Sequence, residues 1–277
     1  MISKTTQKAY EGCLDRMKED GVNLSDPIST KKYIEEKKVS TTTKKLYLCA
    51  IIWKKGCEES DTTQCYYKKI VATYFDEMNK KADSQTLTKN QEKNMMNWKD
   101  ILAIQTDYAS KVRLDDFQDM RDFLIISLYT LNDPVRADYS DMKVYPWKAP
   151  KDATGNYLVW GTRVRKFVFN EYKTASKMGK VEIPVSDPLQ KVIIQWLGLN
   201  HNMEWLMGEE KSANWLTGKV RDIMKRLTGK EVGINIFRHA RITDHLGGQK
   251  SIASKKPLAK NMLHSMAVQE KYLVGAP

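Results

Sequence analysis

The amino-acid sequence predicts a mainly α-helical protein with a small antiparallel β-sheet, an α+β fold. Apolar residues recur at three- and four-residue steps through the first eighty residues and again after residue 188, which is typical of amphipathic helices. Between these regions, residues 157–160, 165–172 and 181–185 have the composition of short strands, and turn-forming residues separate the last two. The chain has 277 residues, of which 41% are hydrophobic, so it can bury a sizeable core.

The first eighty residues are predicted to form four helices and no strand. The second helix begins at Asp26 and Pro27, and the third follows a run of N-capping residues at 40–43 and stops at Gly56. The fourth helix runs from residue 62 to about residue 80. The first helix is marked by an apolar stripe of Tyr10, Cys13, Leu14 and Met17.

Residues 81–95 are polar and show no periodicity, so they are predicted to be a linker between two domains. A helical domain would then cover residues 1–80, and a mixed α/β domain would cover residues 96–277. The second domain is predicted to contain the three strands and seven helices. These helices are residues 98–105, 117–131, 189–197, 213–227, 236–246, 257–263 and 266–274.

The composition argues against several classes of protein. No apolar run approaches the roughly 20 residues that cross a bilayer, and the first residues lack the apolar stretch of a signal peptide. The four cysteines lie in the first quarter of the chain without CxxC spacing, which favours free thiols over disulfides or zinc ligands. The sequence contains no GxxxxGK[ST] loop and no cluster with metal-ligand spacing. We therefore expect an intracellular protein with no cofactor, no metal and no membrane partner.

The chain is strongly basic, with 46 Lys and Arg against 34 Asp and Glu, a net charge of +12. Such an excess indicates either a solvated lysine-rich surface or a polyanionic partner, usually nucleic acid. The charge is uneven, because residues 216–272 contain twelve basic and four acidic residues and so carry +8, whereas residues 1–95 carry +4. This distribution fits either a solvated face or a DNA-contacting surface in the C-terminal part, and the motif set described next favours the second.

Five chemically active side chains occur where a plain helix–sheet core does not need them. Each has an ordinary explanation when taken alone, such as a surface ion pair, a hairpin lysine or a core tyrosine. Their order along the chain is more specific than any single one. They are Arg136 after an apolar helix, Lys173 before a turn, Arg238 in NIFRHAR, His264 in KNMLHSM and Tyr272 near the end of the sequence.

This ordered set resembles that of the tyrosine recombinase (phage integrase) superfamily, and the resemblance covers nearly the whole chain. That family has, in order, an arginine after a helix, a lysine on a β-hairpin, an H-x-x-R box, a histidine or tryptophan, and a tyrosine. Asn235 stands where the box usually begins with His or Lys, and an amide cannot accept a proton near neutral pH. His264 and Tyr272 are eight residues apart, where nine is more usual.

The resemblance implies a site-specific DNA recombinase or integrase that forms a 3′-phosphotyrosyl intermediate on Tyr272, without metal or ATP. Arg136 and Arg238 would bind the phosphate, because the planar guanidinium matches phosphate geometry and stays charged. Lys173 would protonate the leaving 5′ oxygen, and His264 would donate a hydrogen bond to the phosphate. Asn235 completes the implied catalytic set, on the same helix face as the second arginine.

The resemblance also implies how the chain would engage its partner. Residues 1–80 would be a helical DNA-clamping domain, and 96–277 the catalytic domain. The partner would be double-stranded DNA, held by a homotetramer in the cytoplasm or nucleoid, or in the nucleus or a viral factory if the source is viral. The residues that would bind DNA are Lys44, Lys45, Lys54, Lys55, Lys177 and Arg241.

Two alternatives share the implied fold. A type IB topoisomerase would use the same arginines and tyrosine as a monomeric clamp, and the short sequence after Tyr272 leaves little tail to exchange between protomers. A non-catalytic DNA-binding relative would have kept the fold without the chemistry, and Asn235 and the shortened spacing favour that reading.

Overall fold

The structure analysed is a computed structural model that describes residues 2, 4–55, 62–83, 89–247, 252–270 and 272–273. The chain divides into two compact units, residues 1–84 and residues 85–277. The boundary between them falls inside the segment predicted to be a linker. Helical backbone nevertheless reaches into both ends of that segment.

All the secondary-structure elements among the described residues of the first unit are helices. Asp26 caps the second helix, where its carboxylate accepts from the backbone N–H groups of Ile28 and Ser29, and Pro27 takes the first helical position. Cys13, Met17 and Leu48 are among the side chains buried in its core. The helices are α1 (Lys4–Glu19), α2 (Pro27–Glu36), α3 (Thr41–Lys55) and α4 (Thr62–Asp83).

The second unit contains the small sheet and the remaining described helices, so the α+β class is confirmed. Most of its helices coincide with the predicted ones, within a few residues at each end. The helices are α5 (Lys89–Asn94), α6 (Trp98–Ala109), α7 (Phe117–Thr130), α8 (Ala175–Met178), α9 (Asp187–Leu199), α10 (Ala213–Thr228), α11 (Ile234–Leu246), α12 (Ile252–Asn261) and α13 (Met266–Glu270).

The central helix of the second unit is α7, whose residues from Asp119 to Thr130 are all buried. Two acids lie on this buried surface and both are compensated. Asp119 accepts from the Tyr108 hydroxyl at 2.6 Å, and Asp122 pairs with Arg226 at 2.9 Å and with Lys219 at 2.7 Å. Paired burial of this kind fixes the position of α7, and therefore of the loop that follows it.

The sheet has the strand order β1 (Lys143–Pro146), β2 (Tyr157–Trp160), β3 (Arg165–Phe169) and β4 (Val181–Pro184). The prediction of an antiparallel sheet is wrong for one pair, since β1 runs parallel to β2 while the other two pairs are antiparallel. The cause is β1, a strand the sequence pattern did not reveal. Residues 147–156 return the chain to the starting end of β1, so β2 runs in the same direction.

Helices α10 and α11 pack against α7, and α12 packs against α13. Helix α12 begins at Ile252, five residues before its predicted start at Pro257, and so carries that proline in its interior. The helix ends at Asn261 and is followed by a turn that contains Leu263, whose φ of +56° lies in the left-handed region. Among the described residues, no helix is both long enough and apolar enough to span a membrane.

Candidate catalytic site

The loop that follows α7 carries Arg136 and is held by a hydrogen bond from a buried tyrosine of that helix. The buried Tyr129 hydroxyl donates to the Arg136 carbonyl oxygen at 2.8 Å, and the Arg136 backbone N–H donates to Asp138 Oδ2 at 3.2 Å. The guanidinium is half-buried, and its Nη1 donates to the Leu263 carbonyl oxygen at 3.5 Å. Arg136 therefore connects the loop after α7 to the turn after α12.

Arg238 on α11 is fully buried, with 0% of its surface exposed. Its Nη1 donates to two carbonyl oxygens, that of Pro134 at 2.8 Å and that of Met262 at 3.0 Å. Burial, the largest influence, lowers the pKa of the guanidinium, which nevertheless stays charged in proteins. Arg238 thus fastens the same two segments that Arg136 joins.

The remaining donors of Arg238 make no hydrogen bond of good geometry, although the Tyr272 hydroxyl interacts with the guanidinium. Its Nε and Nη2 are buried and have no hydrogen-bond partner in the part of the chain that the structure describes. These two nitrogens form the edge of a guanidinium that binds carboxylate or phosphate through two parallel hydrogen bonds. A buried donor without a partner is rare and requires an explanation, and a bound anion supplies one.

Tyr272 lies against this guanidinium. The Arg238 guanidinium carbon is 4.9 Å from the centroid of the Tyr272 ring. The His264 ring stacks on the Tyr272 ring, with the two centroids 5.7 Å apart and an interplanar angle of 19°. His239 contributes a third ring at 4.8 Å, and its Nδ1 donates to the Tyr272 carbonyl oxygen at 2.7 Å. Burial raises the pKa of the Tyr272 phenol, but the positive charges of Arg238 and Arg136 outweigh it, so the pKa lies below its ordinary value.

His264 is buried at 1% exposure beside the two arginines. Its Nδ1 lies 3.1 Å from the Ser265 carbonyl oxygen, which can only accept, so Nδ1 carries the proton. Burial, followed by Arg238 and Arg136, lowers the pKa of His264 to about 4. The neutral ring therefore presents an unprotonated Nε2, which is buried without a partner among the described residues. In this state Nε2 is an acceptor, whereas the predicted role of donor to a phosphate needs the other tautomer or a second proton.

The turn after α12 is the point at which these groups converge. The Leu263 carbonyl oxygen accepts from Arg136 and also from the Thr174 hydroxyl at 3.1 Å. Lys173, the residue before Thr174, has an exposed side chain. It lies in the 170–180 connection between β3 and β4, not at the end of a strand as predicted. The backbone brings it beside the turn, but no described contact joins its ammonium to the arginines.

A surface pocket of about 410 Å³ opens beside this convergence, between α10 and the start of α11. Asn235 is exposed there, one helical turn before the fully buried Arg238. The first backbone N–H groups of α11 have no side-chain cap, because Gly233 occupies the N-cap position. The pocket is lined by Arg136, Ala137, Thr217, Arg221, Gly233, Ile234 and Asn235.

The structure thus brings Arg136, Arg238, His264 and Tyr272 together, with Asn235 at the edge of the group. Sequence reasoning did not assign a role to three further residues. The first is His239, which directly follows Arg238 on α11 and there holds the tyrosine segment through the Tyr272 carbonyl oxygen. Arg221 and Thr174 had no distinguishing pattern, since a helix-surface arginine and a loop threonine are common.

The residues predicted to bind DNA have varied surroundings. In the first unit, Lys44 donates to the Glu35 carbonyl oxygen, Lys45 lies 3.5 Å from the Phe75 ring centroid, and Lys54 is exposed. The side chain of Lys55 lies outside the described part of the chain.

In the second unit, Lys177 is exposed on α8. Arg241 is half-buried and pairs with Asp133 at 2.8 Å and with Asp244 at 3.7 Å. Its guanidinium is therefore occupied by internal partners, while Lys177 faces solvent.

Two further observations concern possible relatives and metals. In the part of the chain that the structure describes, no three or more His, Cys, Asp or Glu side chains are grouped so as to hold a metal ion. The sequence matches no protein-family model, and no curated protein matches it.

Proposed function

We propose that this protein is a site-specific DNA recombinase that cleaves and rejoins double-stranded DNA through Tyr272. The observation that carries the proposal is the contact between the Tyr272 ring and the buried Arg238 guanidinium, with Arg136 near enough to act on the same phenol. These residues come from distant parts of the sequence. Arg136 and Arg238 nevertheless both donate to carbonyl oxygens of the turn after α12, and Tyr272 contacts Arg238. Two cations around one phenol suit a nucleophile that attacks a phosphate.

The chemistry exchanges one phosphodiester for another. The Tyr272 oxygen attacks the scissile phosphorus, the bond from phosphorus to the 5′ oxygen breaks, and a 3′-phosphotyrosyl bond forms. The phenol proton leaves and a proton is delivered to the 5′ oxygen, a step assigned to Lys173. Rejoining reverses these steps, so no external energy source enters the balance.

The transition state carries extra negative charge on the non-bridging oxygens, and fixed cations stabilise such charge strongly in a water-poor site. The unpaired Nε–Nη2 edge of Arg238 is suited to two of these oxygens. Because Arg238 has no exposed surface, the tyrosine segment must shift before a phosphate reaches it. The pocket beside Arg136 and Asn235 offers the phosphate a route of approach.

Proton removal from Tyr272 falls to the electrostatic environment and to His264. Asn235 cannot act as a base, and it is exposed at the pocket edge. The lowered pKa of Tyr272 reduces the work of deprotonation. The neutral Nε2 of His264, whose ring stacks on the Tyr272 ring, is an acceptor without a partner among the described residues.

The experiment is covalent trapping on a nicked DNA substrate that loses its 5′ leaving strand after cleavage. We expect an adduct with the wild-type protein and none with Tyr272→Phe, while Tyr145→Phe, a change at a half-exposed tyrosine in β1, retains it. An adduct that persists in Tyr272→Phe would assign the nucleophile elsewhere. Relaxation of supercoiled plasmid by a monomer, at any sequence, would identify a topoisomerase instead.

A non-catalytic DNA-binding relative is the second candidate. It is favoured by the exposed amide at Asn235 and by the complete burial of Arg238, which keeps its free edge from solvent. This candidate predicts duplex DNA binding by wild type and Tyr272→Phe alike, with no adduct from either. The trapping experiment therefore separates the two.

A further inference from the structure

The outer face of the sheet, opposite the core, carries a pocket that the proposed chemistry does not use. It has a volume of about 410 Å³, within the range of ligand sites. Its apolar wall is formed by Tyr157, Val159 and Val168, which make a small cluster of their own on this face. We call it the Trp147 pocket, after the aromatic residue at its rim.

Trp147 is held in an unusual backbone conformation. Its φ is +71°, which L-residues with bulky side chains rarely adopt. The Lys148 backbone N–H donates to the Pro146 carbonyl oxygen at 2.9 Å, so Trp147 is the central residue of a three-residue γ-turn. The Trp147 N–H donates to the Trp160 carbonyl oxygen at 3.3 Å, which ties this turn to the end of β2.

Core packing does not account for this strain, because Trp147 is 70% exposed. The turn at Gly161, which follows β2, packs closely against the Trp147 backbone instead. A side chain at Gly161 would place its Cβ 3.4 Å from the Trp147 carbonyl oxygen and 3.2 Å from the Val164 carbonyl oxygen. The backbone is therefore packed closely around a residue whose indole points to solvent, and strain of this kind is characteristic of functional sites.

The charge around the pocket is complementary to a polyanion. Four lysines line it against one acid, Glu182, in a stretch of chain that the structure describes without a gap. Lys166 and Lys180 share that single carboxylate. Lys148 and Lys151 are exposed and have no ion-pair partner among the described residues.

We propose that the Trp147 pocket binds an unpaired DNA strand, with the Trp147 indole stacked on a base and Lys148 and Lys151 on the flanking phosphates. A cationic groove combined with an exposed aromatic ring is the arrangement that binds single strands without sequence preference. An acidic peptide would use the lysines but would leave the indole and the apolar wall without a matching partner. The proposal goes beyond the strand cleavage at Tyr272 and does not depend on it.

The test measures binding of a fluorescent oligothymidylate, about twenty nucleotides long so that it exceeds one site, by polarisation with the full chain. Loss of one stacked base should weaken binding by about 5-fold to 150-fold in Trp147→Ala. Lys148→Ala combined with Lys151→Ala should weaken it and flatten the salt dependence, since each phosphate contact contributes a slope of about −0.7. The control is Lys99→Ala combined with Lys191→Ala, two exposed lysines elsewhere in the same unit, and it should leave the salt dependence closer to wild type.

A second variant excludes a folding defect. Trp147→Gly places a residue that tolerates positive φ in the γ-turn, so its unfolding midpoint should equal or exceed that of the wild type while its oligonucleotide binding falls as in Trp147→Ala. Single-strand binding unchanged within twofold in both Trp147 variants would overturn the proposal. So would a defect confined to duplex DNA, or displacement of the oligonucleotide by polyglutamate at equal concentration. Adduct formation at Tyr272, measured in the same variants, reports separately on strand cleavage.

Discussion

The buried imidazole of His264 should make the second unit sensitive to mild acid, and His264→Gln should reduce that sensitivity. The pKa of His264 in the folded chain is about 4, against an ordinary value of 6.5, because burial and then the two arginines oppose its charged form. As the pH falls below 6.5, the unfolded chain binds a proton that the folded chain does not. A group with a lowered folded pKa of this kind stabilises the fold fully above 6.5 and loses that contribution as the pH falls towards 4.

The size of the effect follows from linkage. Each pH unit over which only the unfolded chain is protonated costs about 1.4 kcal/mol. The wild type should therefore lose about 2 kcal/mol between pH 6.5 and pH 5 from His264, and about 3 kcal/mol by pH 4. His239, whose pKa is also lowered by burial, adds to the loss in the same direction. Asp138, whose pKa is raised by burial, opposes it.

The assay is urea denaturation at half-unit steps of pH between 7.5 and 4.5. Six of the seven tryptophans lie in residues 85–277, so tryptophan fluorescence follows mainly the second unit. The quantity compared is the slope of unfolding free energy against pH, which is independent of any constant cost of the substitution. His201→Gln removes an exposed imidazole and serves as the control. If His264→Gln kept the full wild-type slope below pH 6.5, the imidazole would not be buried in its neutral form and the reasoning would fail.

Two further predictions concern the arginine loop and the pocket. Tyr129→Phe removes the bond to the Arg136 carbonyl oxygen, so we expect unfolding free energy to fall by about 1–2 kcal/mol and adduct formation to slow. Tyr139→Phe, which removes the hydroxyl of the buried ring packed edge-on against Tyr129, should cost less in both thermal denaturation and trapping assays, and equal losses would contradict the role of the bond. Asn235→His should raise the single-turnover cleavage rate at least about tenfold, because a positioned general base contributes about 10²-fold or more. An unchanged rate, or an equal gain in Asn235→Gln, would show that the position needs no base.

Much of the helical framework could be predicted because its signals are local. Helix α7 was predicted at residues 117–131 and runs to Thr130, since its apolar run is long and Asp116 caps its start. Strand β1 could not be predicted, because its sequence KVYP has only two strand-favouring residues and ends in proline, whereas Tyr157–Trp160 is apolar throughout. It exists through its pairing with β2 and a bridge from Lys143 to Trp205, and both are long-range contacts.

The sequence was sufficient to name candidate residues for the site, but not to predict how they are arranged. The N-x-x-R spacing predicts that Asn235 and Arg238 share a helix face, yet one is exposed and the other has no exposed surface. Helix periodicity predicts the direction in which a side chain leaves the helix axis. Whether that side chain is buried depends on which other segments pack over its turn of the helix. Arg238 is covered by segments around residues 134, 262 and 272, and its contacts at two of them are to backbone carbonyl oxygens, which every residue type possesses. Contacts to backbone carbonyl oxygens therefore cannot be predicted from a pattern of residue types.

The donors of Arg238 determine which substitutions can separate folding from chemistry. A guanidinium has five N–H groups, and the two on Nη1 hold the carbonyl oxygens of Pro134 and Met262. The other three, on Nε and Nη2, have no partner in the described chain and are the ones available to a phosphate. Alanine at Arg238 would remove both sets at once, so an inactive alanine variant would not distinguish lost chemistry from lost structure. Tyr272 reduces this ambiguity, because phenylalanine keeps the ring contacts with His239 and His264 and removes only the hydroxyl, which would attack and which also interacts with Arg238 and Arg136. The unfolding midpoint of Tyr272→Phe then reports what those interactions contribute to the fold.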